Sequence, residues 1–344
     1  MLKLKDLKTH YQTMKGVVKA VDGISLTVKE GEVFGLAGES GCGKSTLIKS
    51  ILRLLPPSAT VTAQEMSFNG ADLLAMQDKE FREDILWQEI STVPQSAMNA
   101  LNPVYRVGDQ VIEAIQAHAD YSKTECIKKV TSLFDLVGLQ SGLMKSYPHE
   151  FSGGMRQRAM IAMSLALGPS LIVMDEPTTG LDVLVQERIL RKLKEIRMSW
   201  MEKSATAAAI LLITHDISVI AEMSDRIGIM YAGRLMEVAT SLELFNKPYH
   251  PYTLGLKNAF PSIRALDREL ISIPGSPPNL IEDIPGCVFA ARCPFAMPEC
   301  DKVRPEFKEL KPEHFVACLR TDHVAEFRRL AGEKSTWQSS KSTT

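Results

Sequence analysis

The sequence lacks a surplus of charge of either sign, with 40 Lys and Arg against 41 Asp and Glu. Nothing in that balance gathers nucleic acid by electrostatics alone, so no nucleic-acid partner is expected. It also lacks an apolar run long enough for a bilayer span of about 20 residues. The longest runs, around residues 161–174 and 207–213, are shorter, and the first is broken by Gly168 and Pro169. Any membrane association is therefore expected to run through partner proteins. The opening MLKLKDLKTHYQ alternates like a strand and has no apolar core of signal-peptide type, so the mature chain is expected to begin near Met1 and to stay in the cytoplasm. Internal repeats are absent as well, which predicts a single copy of the main domain. Six cysteines in such a chain do not make a disulfide framework. Cys42 and Cys126 stand alone, whereas Cys287, Cys293, Cys300 and Cys318 crowd into one C-terminal region.

What is present begins with alternation over residues 2–11 and 17–28, then a buried-type run at 33–37, a glycine-rich turn, and a helical pattern from Lys44 to Leu55 that stops at Pro56 and Pro57. Residues 96–168 read as mostly helical, with breakers at Pro103, Gly108, Gly138, Gly142 and Pro148, and predict a helical insertion within an α/β domain. The continuous apolar runs LIVMDE (171–176) and AILLITH (209–215) have parallel-sheet character. Ligands of such sheets sit beyond the carboxyl ends of the strands, and these ends carry Asp175, Glu176 and His215. After about Lys247 come the proline-rich segments HPYT and PGSPPNL, the four-cysteine region and a polar tail, KSTWQSSKSTT, within a stretch (331–344) expected to be disordered.

The segment GESGCGKST, between a predicted strand and a predicted helix, fits the P-loop pattern. Gly38, Ser40, Gly41, Cys42 and Gly43 would turn backbone N–H groups inward to cradle phosphate at a helix N-terminus, with Cys42 a small filler rather than a catalyst. Lys44 would reach the β- and γ-phosphates, the Ser45 hydroxyl would ligate Mg²⁺, and Thr46 would add a phosphate contact. Asp175 closes an apolar strand, as a carboxylate that holds Mg²⁺ should, and Glu176 after it is free to polarise an attacking water.

FSGGMRQR (151–158) then resembles the signature sequence of the ABC ATPase family, with Phe151 and Met155 departing from its commonest form as they do in the peptide-transporter branch. The resemblance implies a P-loop NTPase fold of the ABC type: a RecA-like core, an antiparallel β subdomain and a helical subdomain within residues 1–245. It implies that Ser152, Gly153 and Gly154, a second anion-binding helix end, close over ATP held by another subunit. Gln95 resembles the Q-loop glutamine that senses Mg²⁺ and the attacking water, Asp182 the D-loop aspartate, His215 the switch histidine and Tyr11 the aromatic that stacks on adenine. The expected partners are a second ABC ATPase subunit, two integral-membrane permeases and, indirectly, a substrate-binding protein, at the cytoplasmic face of the membrane.

NKPYHPYTLGL (246–256) resembles the start of the C-terminal extension of dipeptide and oligopeptide importers, which sets the expected boundaries at 246–330. Nickel and oligosaccharide importers share that branch, and a soluble ABC ATPase of DNA repair or translation is the alternative from a different class. Within the extension the pattern C-x5-C-x6-C-x17-C supplies four thiolates, the ligand set of a [4Fe-4S] cluster or of structural zinc. Zinc commonly uses tighter knuckles. The branch is thought to carry an iron–sulfur cluster, so the resemblance favours the cluster, with a structural role expected over electron transfer.

Overall fold

The computed structural model of the chain describes residues 1–95, 100–178, 181, 183–203, 208–259 and 271–338. Along the chain run β1 (Leu2–Thr13), β2 (Gly16–Val28), β3 (Val33–Ala37), α1 (Lys44–Ile51), β4 (Ala59–Thr62), β5 (Glu65–Phe68), β6 (Ala71–Asp72), α2 (Asp78–Glu80) and β7 (Ile90–Val93). The middle holds α3 (Val107–Gln116), α4 (Lys123–Leu136), α5 (Gly153–Ser164), β8 (Leu171–Asp175), α6 (Val183–Lys203) and β9 (Ala209–Ile213). The remainder holds α7 (Ile217–Met223), β10 (Arg226–Tyr231), β11 (Arg234–Thr240), α8 (Ser241–Asn246), α9 (Pro251–Ala259), β12 (Lys308–Lys311), β13 (His314–Val316), α10 (Val324–Leu330) and α11 (Lys334–Gln338). Two compact units result, residues 1–2, 28–34 and 67–214 in the first, and residues 3–27, 35–66 and 215–344 in the second.

The first unit holds β9, β8 and β7, paired in parallel in that order. Ile90 pairs with Leu171, and Asp175 at the end of β8 pairs with Ile213 at the end of β9. Every residue of β8 and β9 is buried, which is why LIVMD and AILLI are unbroken apolar runs rather than alternating ones. Each such side chain removed from water contributes about 1.5–3 kcal/mol, so the strand ends that carry the acids are firmly seated. Helices α3, α4 and α5, which fall between residues 96 and 168, pack on one another. A capping box starts α4: the Ser122 hydroxyl accepts from the Glu125 N–H, and the Glu125 carboxylate accepts from the Ser122 N–H at 2.9 Å.

In the second unit the order is β12-β13-β11-β10-β3, and β10 is buried throughout. Its other sheet has the order β2-β1-β5, with β4 antiparallel to β1 in the register Lys8–Thr62 to Tyr11–Ala59. Helix α1 is shorter than predicted because Arg53 takes φ 52° and the Leu54 N–H turns back to the Lys49 carbonyl at 2.8 Å, a Schellman-type stop before the prolines. The extension is also more regular than its composition suggested. Its β13 extends the sheet by pairing Val316 with Glu237 and Phe315 with Val238 of β11. The tail expected to be disordered from 331 is ordered at least to 338, because Trp337 on α11 is 1% exposed and its indole donates to the Ala331 carbonyl at 3.0 Å. Residues 245 and 246, on either side of the expected domain boundary, lie within this one unit. No helix of the described residues is long and apolar enough to cross a membrane.

Candidate functional site

The glycine loop leaves β3 and enters α1 in the second unit. Gly43 is the N-cap of α1 with φ 107° and no side-chain cap. A Cβ on Gly38 would lie 2.1 Å from the Met230 carbonyl oxygen, and one on Gly43 2.2 Å from that of Ala20, so only glycine fits either place. Lys44 is buried and curls back, its Nζ donating to the carbonyls of Gly38 at 2.7 Å and Glu39 at 3.0 Å. The same Nζ lies 3.5 Å from Cys42 Sγ, whose thiol burial pushes upward in pKa against the nearby ammonium. Cys42 is 3% exposed, the filler expected. Ser40 and Gly41 are exposed, and Ser45 and Thr46 partly so. Tyr11 reaches this helix, its phenol 3.4 Å from Thr46 Oγ1.

The first unit gathers the carboxylates. Asp175 is 9% exposed at the end of β8. Glu176 follows with φ 51°, a left-handed backbone costly for a residue with a Cβ, and its N–H is held by the Ile213 carbonyl at 2.8 Å. Gln95 Nε2 donates to Glu176 Oε2 at 3.0 Å, so these two expected residues meet in space across 81 positions of sequence. His215 opens the second unit and is exposed. Asp182 lies outside the described residues.

The second predicted helix end is present at α5. Ser152 is its N-cap and accepts from the Met155 N–H at 3.3 Å, and Ser152 is exposed. A Cβ on Gly154 would lie 2.4 Å from Val185 Cγ1, so that glycine sets the approach of α5 to α6.

Cys287, Cys293, Cys300 and Cys318 line one cavity together with aromatic residues including Phe289, Phe295 and Phe327. All four are free thiols. Among the described residues, no group of three or more His, Cys, Asp or Glu is set to hold a metal ion, so the expected metal centre is not itself evident, although its four residues converge. The donor set fits a cationic occupant chemically. Burial pushes Cys287 up to about 12, Cys318 up to about 11 and Cys293 well above the usual thiol range. Arg320 lines the same cavity and partly offsets the burial at Cys318, but burial remains the larger effect, so thiolates there would gain from a bound cation.

Four residues unmarked in the sequence tie this region to the glycine loop. Arg292, next to Cys293, donates from Nη1 to Glu39 Oε2 at 2.7 Å and to the Tyr231 phenol at 3.1 Å. The Glu39 N–H donates to the Tyr252 phenol at 3.0 Å. Tyr252 belongs to the HPYT segment that marks the extension, but its partner, 213 residues away, left no signal in local spacing.

The family described as ABC transporter matches residues 21–179, and the one described as oligopeptide/dipeptide transporter, C-terminal region, matches residues 236–300. The dipeptide transport ATP-binding protein DppD of Bacillus subtilis is 44% identical over 97% of this chain and 98% of its own length. The oligopeptide transport ATP-binding protein OppD of Escherichia coli is 39% identical over 93% of each chain. Among solved structures, a dimeric ATP-binding cassette in a post-hydrolysis state, bound to ADP and Pi, is similar with a TM-score of 0.61 and 26% identity, covering 70% of this chain and 99% of that one.

Proposed function

Because the chain belongs to the ABC transporter family, as an ATP-binding subunit of its dipeptide/oligopeptide branch, we propose that it energises peptide import as half of a head-to-tail pair of such subunits. The carrying observation is the contact of Gln95 with Glu176 beside the buried Asp175, an acid dyad with one member committed and one steered. In this reading Lys44 leaves the loop carbonyls to take the β- and γ-phosphates, the loop N–H groups from Gly38 to Thr46 cradle them, and Tyr11 stacks on the adenine. Ser45, Asp175 and Gln95 would hold Mg²⁺, which would supply charge neutralisation at the phosphates. Glu176 accepts the proton of the attacking water, and Gln95 and His215 hold that water and the γ-phosphate in place. Ser152, Gly153 and Gly154 of one subunit complete the site of the other, with Asp182 communicating between them. The head-to-tail pairing is supported by the exposed N-cap of α5, a helix end that the subunit's own loop does not need.

The reading extends to the assembly. Residues 1–245 act as the ATPase portion, with 96–168 docking on a pair of permeases at the cytoplasmic face of the membrane, and a substrate-binding protein delivers peptide on the other side. In 246–330, Cys287, Cys293, Cys300 and Cys318 would hold a [4Fe-4S] cluster in preference to zinc, a reading supported by four thiols that line one cavity. The cluster would supply a structural staple, and the thiols would be held as thiolates by it.

Glu176→Gln decides the catalytic assignment. Turnover is expected to fall by roughly 10²–10⁴-fold with ATP binding kept, as for removal of a general base, and an ATP-bound dimer should accumulate on gel filtration. Undiminished turnover would remove Glu176 from the role.

A further inference from the structure

Glu39 stands in the glycine loop, where a bound triphosphate brings several negative charges, yet it carries a carboxylate of its own. All three of its polar groups are engaged: the carbonyl accepts from Lys44 Nζ at 3.0 Å, the N–H donates to the Tyr252 phenol at 3.0 Å, and the carboxylate takes Arg292 Nη1 at 2.7 Å. Only the first of these partners belongs to the loop, and the other two come from beyond residue 245. Arg292 is itself fixed, since Nε donates to the Pro274 carbonyl at 2.9 Å and Nη2 to that of Ile273 at 3.2 Å. Its side chain is 7% exposed against 25% for Glu39, so the pair is sheltered and screened less than a surface ion pair. The Tyr231 and Tyr252 rings pack against each other with centroids 4.7 Å apart, which stiffens both phenols.

We infer that Arg292 is a positioning residue of the nucleotide site: it neutralises and holds Glu39, so that the cysteine-bearing extension is a working part of the phosphate loop. A guanidinium fixed by backbone carbonyls offers its charge in one direction, and that direction is the loop carboxylate. Without it, the carboxylate would face incoming phosphate unpaired and repel it. The inference rests on the ATP-site reading above.

The test is the ATP dependence of turnover by the full chain in its assembled transporter. Arg292→Gln is expected to raise KM for ATP by roughly three- to tenfold, the scale of one charge-assisted contact, with kcat changing less than about twofold. Adding Glu39→Gln to that variant removes the repelling charge and should bring KM back to within about twofold of the parent, because directly paired residues couple. Arg292→Lys, which keeps the charge and loses the fork, should fall between. An unchanged KM in Arg292→Gln, or a double variant no better than Arg292→Gln alone, overturns the inference. If circular dichroism shows that Arg292→Gln does not fold, Arg292→Lys decides: a KM raised by about twofold or more supports it and an unchanged KM overturns it. A parent chain that does not turn over ATP would instead sink the underlying reading.

Discussion

The starts of α1 and α5 are both glycine-flanked helix ends, yet they are finished in opposite ways. At α1 the N-cap is Gly43, with no side chain to satisfy the first N–H groups, and neighbouring backbone at Ala20 and Met230 presses on Gly43 and Gly38. At α5 the N-cap is Ser152, which already answers the Met155 N–H and stands exposed. An uncapped, tightly walled end is a receptor whose N–H groups wait for an anion. A capped and exposed end can hold its helix while unliganded and add its remaining N–H groups to a ligand brought from outside. The difference is the one that the proposed head-to-tail pairing would require of its two helix ends.

The contrast can be broken most forcefully at Lys44. Lys44→Ala removes both the phosphate contact and the clamp on the Gly38 and Glu39 carbonyls, and ATP affinity of the isolated subunit should drop by roughly a hundredfold or more. Titration with a fluorescent ATP analogue reads this directly, and near-parental affinity would mean that the loop is not the receptor. Gly154→Val acts on the other end alone. Its side chain would collide with Val185, so α5 must move, and turnover should fall by roughly tenfold or more while ATP affinity of the isolated subunit stays within about twofold. Equal losses of binding and turnover would erase the division between the two ends. Smallest is Ser152→Ala, expected to cost about 1 kcal/mol of stability in denaturant melts through loss of the cap. A neutral result there would show that the exposed end needs no cap of its own.

How far these features could be read beforehand depended on whether their physics is local. Gly38, Gly43, Lys44 and Ser45 could be read because a phosphate loop is one contiguous turn between a strand and a helix, and β8 and β9 because double-sided burial demands unbroken apolar runs. The helix end at residues 152–154 was legible through the contiguous signature-like run 151–158, although Ser152 as its cap was not. The left-handed backbone of Glu176 carried no such mark, since glutamate gives no hint of positive φ. Pairings between distant segments were equally silent. The Glu39–Arg292 contact spans 253 positions, and the β11–β13 register joins Glu237 to Val316 and Val238 to Phe315 across the whole proline-rich and cysteine-bearing stretch. Trp337 sat in a tail whose polar composition outweighed its one large ring, and burial of that ring is what orders the helix.

The pairing of β13 with β11 also bears on where this protein can be cut. Cleaving the chain at the expected boundary after residue 245 would strip Val316 and Phe315 from Glu237 and Val238 and leave a raw sheet margin of unanswered N–H and C=O groups, a template for self-association. A fragment designed on that boundary would therefore be sticky for a reason unrelated to its chemistry. In folding terms the engine does not end where its nucleotide motifs end.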